Sequence, residues 1–154
     1  MGNTRGVTLI ELLVVVAIIS VLIFLISVST ATPTDRSILE SAANMIAQDI
    51  RLTQQLAVSN GSIYFFEIHT KDNYYQIRSQ SVETAYKKEY LHDGISISTI
   101  GFESLYTDST RKDLKTLRYT PAGTPGTTGT ITLKKGNWVK QITVMVGTGR
   151  VKID

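Results

Sequence analysis

Residues 12–34 form an uninterrupted stretch of 23 residues without a charged side chain, made up largely of Leu, Ile and Val. A helix of about 20 apolar residues crosses the ~30 Å hydrocarbon core of a bilayer. The stretch therefore predicts one membrane-spanning helix, and we place it at residues 7–32. This assignment limits the rest of the chain to one domain of modest size, displayed on one side of a membrane.

A cleaved secretory signal peptide is the main alternative explanation of this stretch. Such a peptide needs a basic N-terminal region, an apolar core of about 7–15 residues and a small-residue cleavage site after it. Here Arg5 is the only basic residue before the stretch, the apolar run is longer, and no A-x-A site follows it. We therefore interpret the stretch as a retained helix.

Glu11 lies at the start of this apolar helix, between Ile10 and Leu12. A carboxylate at the centre of a bilayer costs roughly 2.5–3.5 kcal/mol, and less near the headgroups. Two interpretations follow. Either Glu11 is close enough to the membrane surface to stay hydrated, or its carboxylate pairs with a cation inside an assembly.

The residues around Glu11 resemble the leader and N-terminal helix of type IV pilins and type II secretion pseudopilins. In that family a short leader ends in Gly and is followed by a hydrophobic residue and T-L-I-E-L; here these are Gly6, Val7 and residues 8–12. The resemblance implies that residues 1–6 are a leader removed by a prepilin peptidase after Gly6. It also implies N-methylation of Val7, where the family usually carries Phe.

The same resemblance gives Glu11 a function in assembly. Cleavage would create an α-amino group at Val7, which is at least partly cationic near neutral pH. In a filament of staggered parallel helices, Glu11 of one subunit can lie beside the Val7 amine of a neighbour, and a dry environment strengthens that pair. The implied partners are other pilin or pseudopilin subunits, the prepilin peptidase, an inner-membrane assembly platform and, before assembly, membrane lipid. The implied location is the cytoplasmic membrane, as a single-pass protein, and then a cell-surface or periplasmic filament.

The chain after Pro33 first continues with helical periodicity. Pro33 disfavours helical geometry at the residue before it, so it marks a kink or a short break. Asp35 is a candidate N-cap, and Asn60-Gly61 is a typical helix end. The apolar residues between them recur near helical spacing and predict an amphipathic helix at residues 33–60: Ile38, Leu39, Ala42, Met45, Ile46, Ile50 and Leu56.

Residues 61–154 have the alternating pattern of β-strands. Residues 62–69 and 73–80 predict a hairpin, and residues 88–100 predict one strand that is split or bent at Asp93-Gly94. A polar loop follows, then a short strand at residues 116–120 and three final strands. The predicted fold class is α+β, with the second half of a long N-terminal helix packed on a C-terminal antiparallel sheet, as in pilin-like proteins.

The last hairpin can be assigned a register from its hydrophobic residues. A two-residue turn at Thr148-Gly149 would pair Val146 with Val151 and Val144 with Ile153, all on one face. The same register places the side chains of the two basic residues together on the other face, beside Met145. They are Arg150 and Lys152.

The C-terminal third carries a second resemblance, to the H-type minor pseudopilin class (GspH/FimT). Its elements are an aromatic-x-P-x-G loop at residues 119–123 and a terminal Gly149-Arg150-Val151 strand. Together with the N-terminal motif, this resemblance covers both ends of the chain. It implies a minor rather than a major subunit.

The sequence offers no site for catalysis, a metal or a cofactor. Zero Cys excludes a disulfide framework, a thiol nucleophile and a Cys-ligated metal. His69 and His92 lack the ligand spacing of a metal site, and no G-x-S-x-G nucleophile motif occurs. We therefore expect a protein that is not an enzyme and name no catalytic residue, metal ligand or cofactor.

The charge distribution supports a second hypothesis. Residues 35–110 hold six basic and ten acidic side chains (−4), whereas residues 111–154 hold nine basic and two acidic ones (+7). The GspH/FimT class includes members that bind DNA through basic C-terminal residues, so the chain is either a structural filament subunit or also a DNA-binding subunit in DNA uptake. The alternatives are a solvated basic face and an ordinary single-span membrane protein. The candidate DNA-binding residues are Arg150, Lys152, Lys140, Lys134 and Lys135.

Overall fold

The computed structural model describes residues 8–27, 34–82, 84–106, 113–145 and 147–154. The chain divides into two compact units, Met1–Pro33 and Thr34–Asp154. The predicted leader, residues 1–6, and the predicted kink at Pro33 lie outside the described residues.

The first unit contains one helix, α1 (Leu9–Ser27). The side chains of residues 9–23 are all exposed within this unit, and apolar residues occupy every side of the helix. The hydroxyl of Ser20 donates a hydrogen bond to the backbone oxygen of Val16 at 2.8 Å. Among the described residues, no helix has both the length and the apolar character needed to cross a membrane. The predicted span at residues 7–32 extends past both ends of α1 into residues that are not described.

The second unit begins with α2 (Asp35–Ser59). Thr34, and not Asp35 as predicted, is the N-cap: its side chain accepts a hydrogen bond from the backbone N–H of Ser37. Asp35 is instead the first helical residue, where a carboxylate favours the positive end of the helix dipole. The predicted helix end is confirmed, because Asn60 is the C-cap and Gly61 follows with a φ of +56°.

After α2, the described residues form eight strands. They are β1 (Tyr64–His69), β2 (Tyr74–Ser79), β3 (Lys87–Tyr90), β4 (Ser96–Ile100), β5 (Leu114–Tyr119), β6 (Gly129–Lys135), β7 (Trp138–Val144) and β8 (Val151–Ile153). All pairings are antiparallel, and the strands form two four-stranded sheets in the orders β3-β2-β1-β5 and β4-β6-β7-β8. The predicted hairpin of β1 and β2 is confirmed, with Tyr64 opposite Ser79 and His69 opposite Tyr74.

The bend predicted at Asp93-Gly94 separates two sheets. Residues 88–100 were expected to form one strand, but β3 and β4 pair with β2 and β6, which belong to different sheets. Gly94 has a φ of +82°, which L residues with a side chain rarely adopt. The predicted split is present, and the correction is that its two parts belong to different sheets.

The predicted register of the last hairpin is wrong by two residues, although the predicted face is right. Val144 pairs with Val151, and Ile142 pairs with Ile153. The connection is therefore longer than the two-residue turn that was expected, and Met145 lies opposite Arg150. A shift of two residues preserves the face on which each side chain lies, because side chains alternate with a period of two. Val146 is outside the described residues.

The hydrophobic core of the second unit lies between α2 and the two sheets. Fully buried side chains come from α2 (Ile46, Ile50), from the first sheet (Phe66, Tyr75) and from the second (Leu133). Every residue of the core cluster belongs to Thr34–Asp154, so this unit carries its own complete core. The α+β prediction, a helix packed on antiparallel sheet, is confirmed.

Candidate functional site

The N-terminal candidate site begins at the first turn of α1. The backbone N–H of Glu11 donates to the carbonyl oxygen of Thr8 at 3.1 Å and to its hydroxyl at 3.3 Å, so Thr8 caps the helix. The Glu11 side chain is exposed within the unit. Gly6 and Val7 lie outside the described residues, and the pairing of Glu11 with an amine at Val7 stays a prediction.

The surface of α1 is apolar on all sides. Leu9 is 79% exposed and Val16 is 53% exposed. A helix that is apolar all round is normally buried, either in lipid or in the interior of a larger structure. Within the residues that the structure describes, nothing in the first unit provides that cover.

The C-terminal motif residues, distant in sequence, meet at the last turns of α2. Gln54 donates from Nε2 to the backbone oxygens of Gly123 (2.7 Å) and Thr148 (3.4 Å). The hydroxyl of Tyr119 donates to the oxygen of Gly149 at 3.4 Å. The two motifs that resemble the GspH/FimT class thus form one structural unit, which fixes both loops against α2.

Gly149 is required by the geometry of this cluster. Its φ is +66°, and a Cβ there would lie 3.0 Å from the Tyr119 ring and 3.1 Å from Nε2 of Gln54. Both the backbone conformation and the packing therefore exclude a side chain. The next residue, Arg150, is exposed and has no ion pair among the described residues.

The five candidate DNA-binding residues do not form one patch. Lys135 and Lys140 face α2: their Nζ atoms lie 3.7 Å from Asp35 and 4.0 Å from Glu40, respectively. The side chain of Lys135 is only 12% exposed. These two cations pair with carboxylates at the start of α2, and Nζ of Lys135 also donates to the backbone oxygen of Asp93 at 2.7 Å.

The other three candidates are exposed on the second sheet. Lys152 is paired with Asp154 at 2.6 Å, whereas Lys134 and Arg150 have no ion pair in the described part of the chain. Lys134 is opposite Val139 near one end of β7, and Arg150 is opposite Met145 at the other end. Arg150 and Lys152 lie on the same exposed face, as the sequence predicts.

The structure contains a buried polar network that the sequence did not indicate. Asp49 on α2 is 5% exposed and accepts hydrogen bonds from the hydroxyl of Tyr75 at 2.6 Å and from Nζ of Lys87 at 2.8 Å. Burial, and then the bond to Asp49, raise the pKa of Tyr75. The hydrogen bond to Asp49 is the main cause that raises the pKa of Lys87. The network joins the helix to β2 and β3.

A second polar cluster lies on the outer face of the first sheet. Glu67, 1% exposed, accepts hydrogen bonds from Arg78 (2.9 Å), Gln76 (2.7 Å) and Tyr106 (3.1 Å). These residues line a cavity of about 440 Å³ together with His69, whose pKa is lowered mainly by burial. The carboxylate is thus fully occupied by donors from its own chain, which identifies a structural ion pair.

Across the described ranges, no group of three or more His, Asp or Glu side chains is placed to hold a metal ion. His69 stacks on Tyr74 at a ring distance of 4.0 Å, and its Nδ1 lies 3.9 Å from a carboxylate oxygen of Asp72. Nδ1 of His92 is 2.9 Å from the backbone oxygen of Asp93.

Comparison with protein families gives two matches. Residues 1–27 match the prokaryotic N-terminal methylation motif, and residues 42–149 match the family described as type II transport protein GspH. The chain belongs to the GspH family. It is a type IV pilin-like minor pilin of the GspH class, and its place among pilins and pseudopilins makes it a structural subunit and not an enzyme.

Known relatives agree with membership of the GspH family. The chain is 29% identical to competence protein ComGD of Bacillus subtilis (strain 168), over 100% of this chain and 96% of that one. The type IV minor pilin FimU of Pseudomonas aeruginosa has the same fold, with a TM-score of 0.58 at 16% identity over 79% of this chain and 91% of that one. The minor pseudopilin EpsH of Vibrio cholerae gives a TM-score of 0.61 at 10% identity over 78% and 95%.

The two family matches cover different parts of this GspH-family chain, the N-terminal segment and the folded domain. Pilins and pseudopilins assemble with other pilin-like subunits, and the methylation motif is typical of chains that are first anchored in a membrane and then join a filament. The motif residues Tyr119, Gly123 and Gly149 maintain the folded domain.

Proposed function

We propose that the chain is a minor subunit of a type IV filament, cleaved by prepilin peptidase after Gly6 and methylated at Val7. The observation that carries the proposal is α1, whose first turn holds Glu11 and whose other described side chains, apart from Ser20, are apolar on all sides. A single-pass anchor at residues 7–32 and an inner-membrane assembly platform belong to this proposal. Glu11 pairs with the new amine of a neighbouring subunit.

We propose that the filament belongs to the competence machinery, because ComGD, the relative that matches along nearly its whole length, is a competence protein. The domain boundaries follow the same scheme: leader 1–6, filament-core helix 7–32, second helix 33–60 and β-domain 61–154. The alternative is a type II secretion system, in which a pseudopilin performs the corresponding role.

Mass spectrometry of the filament and membrane fractions tests the processing step. We expect a mature chain that begins at Val7 and carries one N-methyl group. A bulky replacement of Gly6, such as Gly6→Leu, should leave the full-length chain in the membrane. A protein recovered only with its original Met1 would contradict the proposal.

DNA binding is a second candidate function, in a narrower form than the sequence predicted. Arg150 lies beside Lys152 at the end of the domain formed by the last turns of α2, and it is exposed and has no ion pair with any described residue. Lys135 and Lys140 are engaged with α2 and contribute little. Cations that neutralise phosphates make DNA affinity fall with salt, with a log–log slope of roughly −0.9 per phosphate contacted.

A salt titration of residues 34–154 with random-sequence duplex DNA tests the second function. Arg150→Ala should weaken binding and make the slope less steep by about 0.9. Lys140→Ala is the matched control, since it removes one charge of the same sign that is held by Glu40. Equal slopes for wild type and Arg150→Ala would show that Arg150 contacts no phosphate and that the hairpin is only a solvated basic surface.

A further inference from the structure

The turn between β6 and β7 is fixed to the start of α2. Lys135, at the end of β6, lies 3.7 Å from Asp35, and a Cβ on Gly136 would be 3.6 Å from the same carboxylate. On the other side of the turn, the guanidinium of Arg36 lies 5.5 Å from the ring centre of Trp138. The first helical turn of α2 and this β-turn therefore form one surface.

In sequence, the start of α2 follows closely on the anchor. This step rests on the proposed function, which takes residues 7–32 as the membrane-embedded segment. Only residues 33 and 34 lie between this segment and Asp35, and three Cα–Cα steps of extended chain span at most about 11 Å. The headgroup layer of a bilayer is itself about 5–7 Å thick on each side.

The side chains of this surface have the chemistry of a membrane interface. Trp138 is 48% exposed and Val139 is 51% exposed, so the turn presents an aromatic and an aliphatic residue to its surroundings. Trp is enriched at the headgroup level of membranes, where its ring is partly apolar and partly polar. Arg36, Lys140 and Trp138 also line a shallow depression of about 240 Å³.

The charge of the surface favours an anionic partner. Four cations (Arg36, Lys134, Lys135 and Lys140) lie beside the carboxylates of Asp35 and Glu40 and near Asp93, whose backbone oxygen accepts a hydrogen bond from Lys135 at 2.7 Å, which leaves a charge of +1. Arg36 and Lys140 share the single carboxylate of Glu40, at 3.7 and 4.0 Å. Lys134 is exposed and unpaired within the described residues, opposite Val139.

We propose that the β6–β7 turn, with Trp138 at its centre, docks the folded domain on the anionic headgroups of the membrane before assembly. Tethering supports such a contact, because a covalently linked site meets its partner at a high effective concentration and needs little intrinsic affinity. The contact holds the domain close to the bilayer while α1 is still in lipid. Entry into a filament breaks it.

Trp138 is the only Trp of the chain, so its fluorescence reports on this surface alone. The full chain is reconstituted in phosphatidylcholine vesicles with and without phosphatidylglycerol, and brominated lipid is added as the quencher. With phosphatidylglycerol we expect a blue-shifted Trp138 emission that brominated lipid quenches. Added salt should reverse the quenching, because the headgroup attraction falls off within a Debye length.

Two variants separate this contact from a general attraction of the domain. Lys134→Ala should weaken docking about fivefold, since one cation near an anionic surface contributes about 1 kcal/mol. Arg150→Ala removes an exposed cation near the far end of α2, about 28 Å along the helix axis from Asp35, and should leave the quenching unchanged.

Each other outcome overturns the proposal in a distinct way. If the chain co-floats with the vesicles but the emission of Trp138 stays typical of water and is not quenched, the docking contact is eliminated and the anchor is retained. Quenching that is independent of phosphatidylglycerol would replace the headgroup contact with an apolar one. A blue shift that disappears on dilution of protein in lipid would assign the surface to a second copy of the chain. A chain that does not float with vesicles would remove the anchor and the docking together.

Discussion

The hydroxyl of Tyr75 lies 2.6 Å from a carboxylate oxygen of Asp49, so a residue of β2 and a residue of α2 are joined by a buried hydrogen bond to a charged group. Tyr75 is fully buried, and the same carboxylate also binds Lys87 of β3. The bond therefore fixes the height of the helix over the first sheet. Apolar contacts alone, which have no direction, would leave that height less well defined.

Loss of the Asp49 carboxylate should destabilise the second unit. In Asp49→Ala the buried Tyr75 hydroxyl loses its acceptor, which costs roughly 1–3 kcal/mol, whereas Lys87, 32% exposed, can be hydrated. Urea unfolding of residues 34–154 measures the difference. Asp72→Ala is the control, because the Asp72 side chain is 63% exposed and its loss should change the free energy of unfolding by less than about 0.5 kcal/mol. Equal effects of the two variants would contradict the structural role of the network.

The stability of the second unit should fall as pH rises above about 10. Burial raises the pKa of Tyr119 to about 12, whereas a phenol in the unfolded chain titrates near 10. Between these values the folded state holds more protons than the unfolded state, so the free energy of unfolding decreases by about 1.4 kcal/mol per pH unit for this residue. Tyr75, whose pKa is also raised, adds to the decrease.

Tyr119→Phe tests this dependence. The variant lacks the buried phenol, so its free energy of unfolding should decrease less steeply between pH 10 and about 12, by up to about 1.4 kcal/mol per pH unit. Denaturant titrations at several pH values provide the measurement. Parallel curves for the variant and the wild type would show that Tyr119 ionises equally in both states.

Gly149 and Gly147 form a matched pair for testing the C-terminal cluster. Both have positive φ, at +66° and +77°, so an Ala at either position carries the left-handed conformational cost of roughly 1–2 kcal/mol. A Cβ on Gly147 meets nothing within 4 Å, whereas one on Gly149 meets the Tyr119 ring at 3.0 Å. Gly149→Ala should therefore lower the free energy of unfolding by at least about 1 kcal/mol more than Gly147→Ala. Equal losses would show that Tyr119 moves aside without cost.

Glu11→Val should separate membrane insertion from assembly. Removal of the carboxylate makes the helix easier to hold in lipid, by up to about 3 kcal/mol if Glu11 lies deep. Incorporation into filaments should fall, because the amine at Val7 loses its partner. Ser20→Val is the control in the same helix, since Ser20 bonds only to Val16 of its own chain among the described contacts. Normal incorporation of Glu11→Val, measured by quantifying the subunit in sheared filaments, would mean that Glu11 is merely interfacial.

Much of the fold was predictable because it depends on local patterns. The hairpin of β1 and β2 and the end of α2 at Asn60 both follow from short stretches of sequence. The face of the last hairpin was also predictable, since hydrophobic alternation selects it. The register was not, because residues 142, 144, 151 and 153 share a face in either of two registers that differ by two residues.

The polar networks could not be predicted for a different reason. Asp49, Tyr75 and Lys87 are separated by 26 and 12 residues and belong to a helix and two strands. Their meeting depends on how α2 crosses the first sheet, which no local pattern specifies. The same limit applies to Lys135 and Lys140: their charge was visible in the sequence, but their pairing with Asp35 and Glu40 depends on the packing of the second sheet.

The candidate site at the N-terminus rests on motif spacing alone. Gly6, Val7 and Glu11 lie within the methylation motif that matches residues 1–27, and their parts in cleavage, methylation and assembly stay predictions. The described structure adds the Thr8 cap and the exposure of α1 to that prediction.

The even distribution of apolar side chains around α1 has a consequence for its rotation about its own axis. In a uniform apolar medium such a helix has no preferred azimuth, because every orientation buries nearly the same surface. Glu11 is the only charged residue of α1 and breaks this rotational degeneracy on one side. Under the proposed pairing, the helix of a subunit can rotate about its axis in lipid until its carboxylate meets a cation, so one side chain would define both the axial position and the azimuth of the helix.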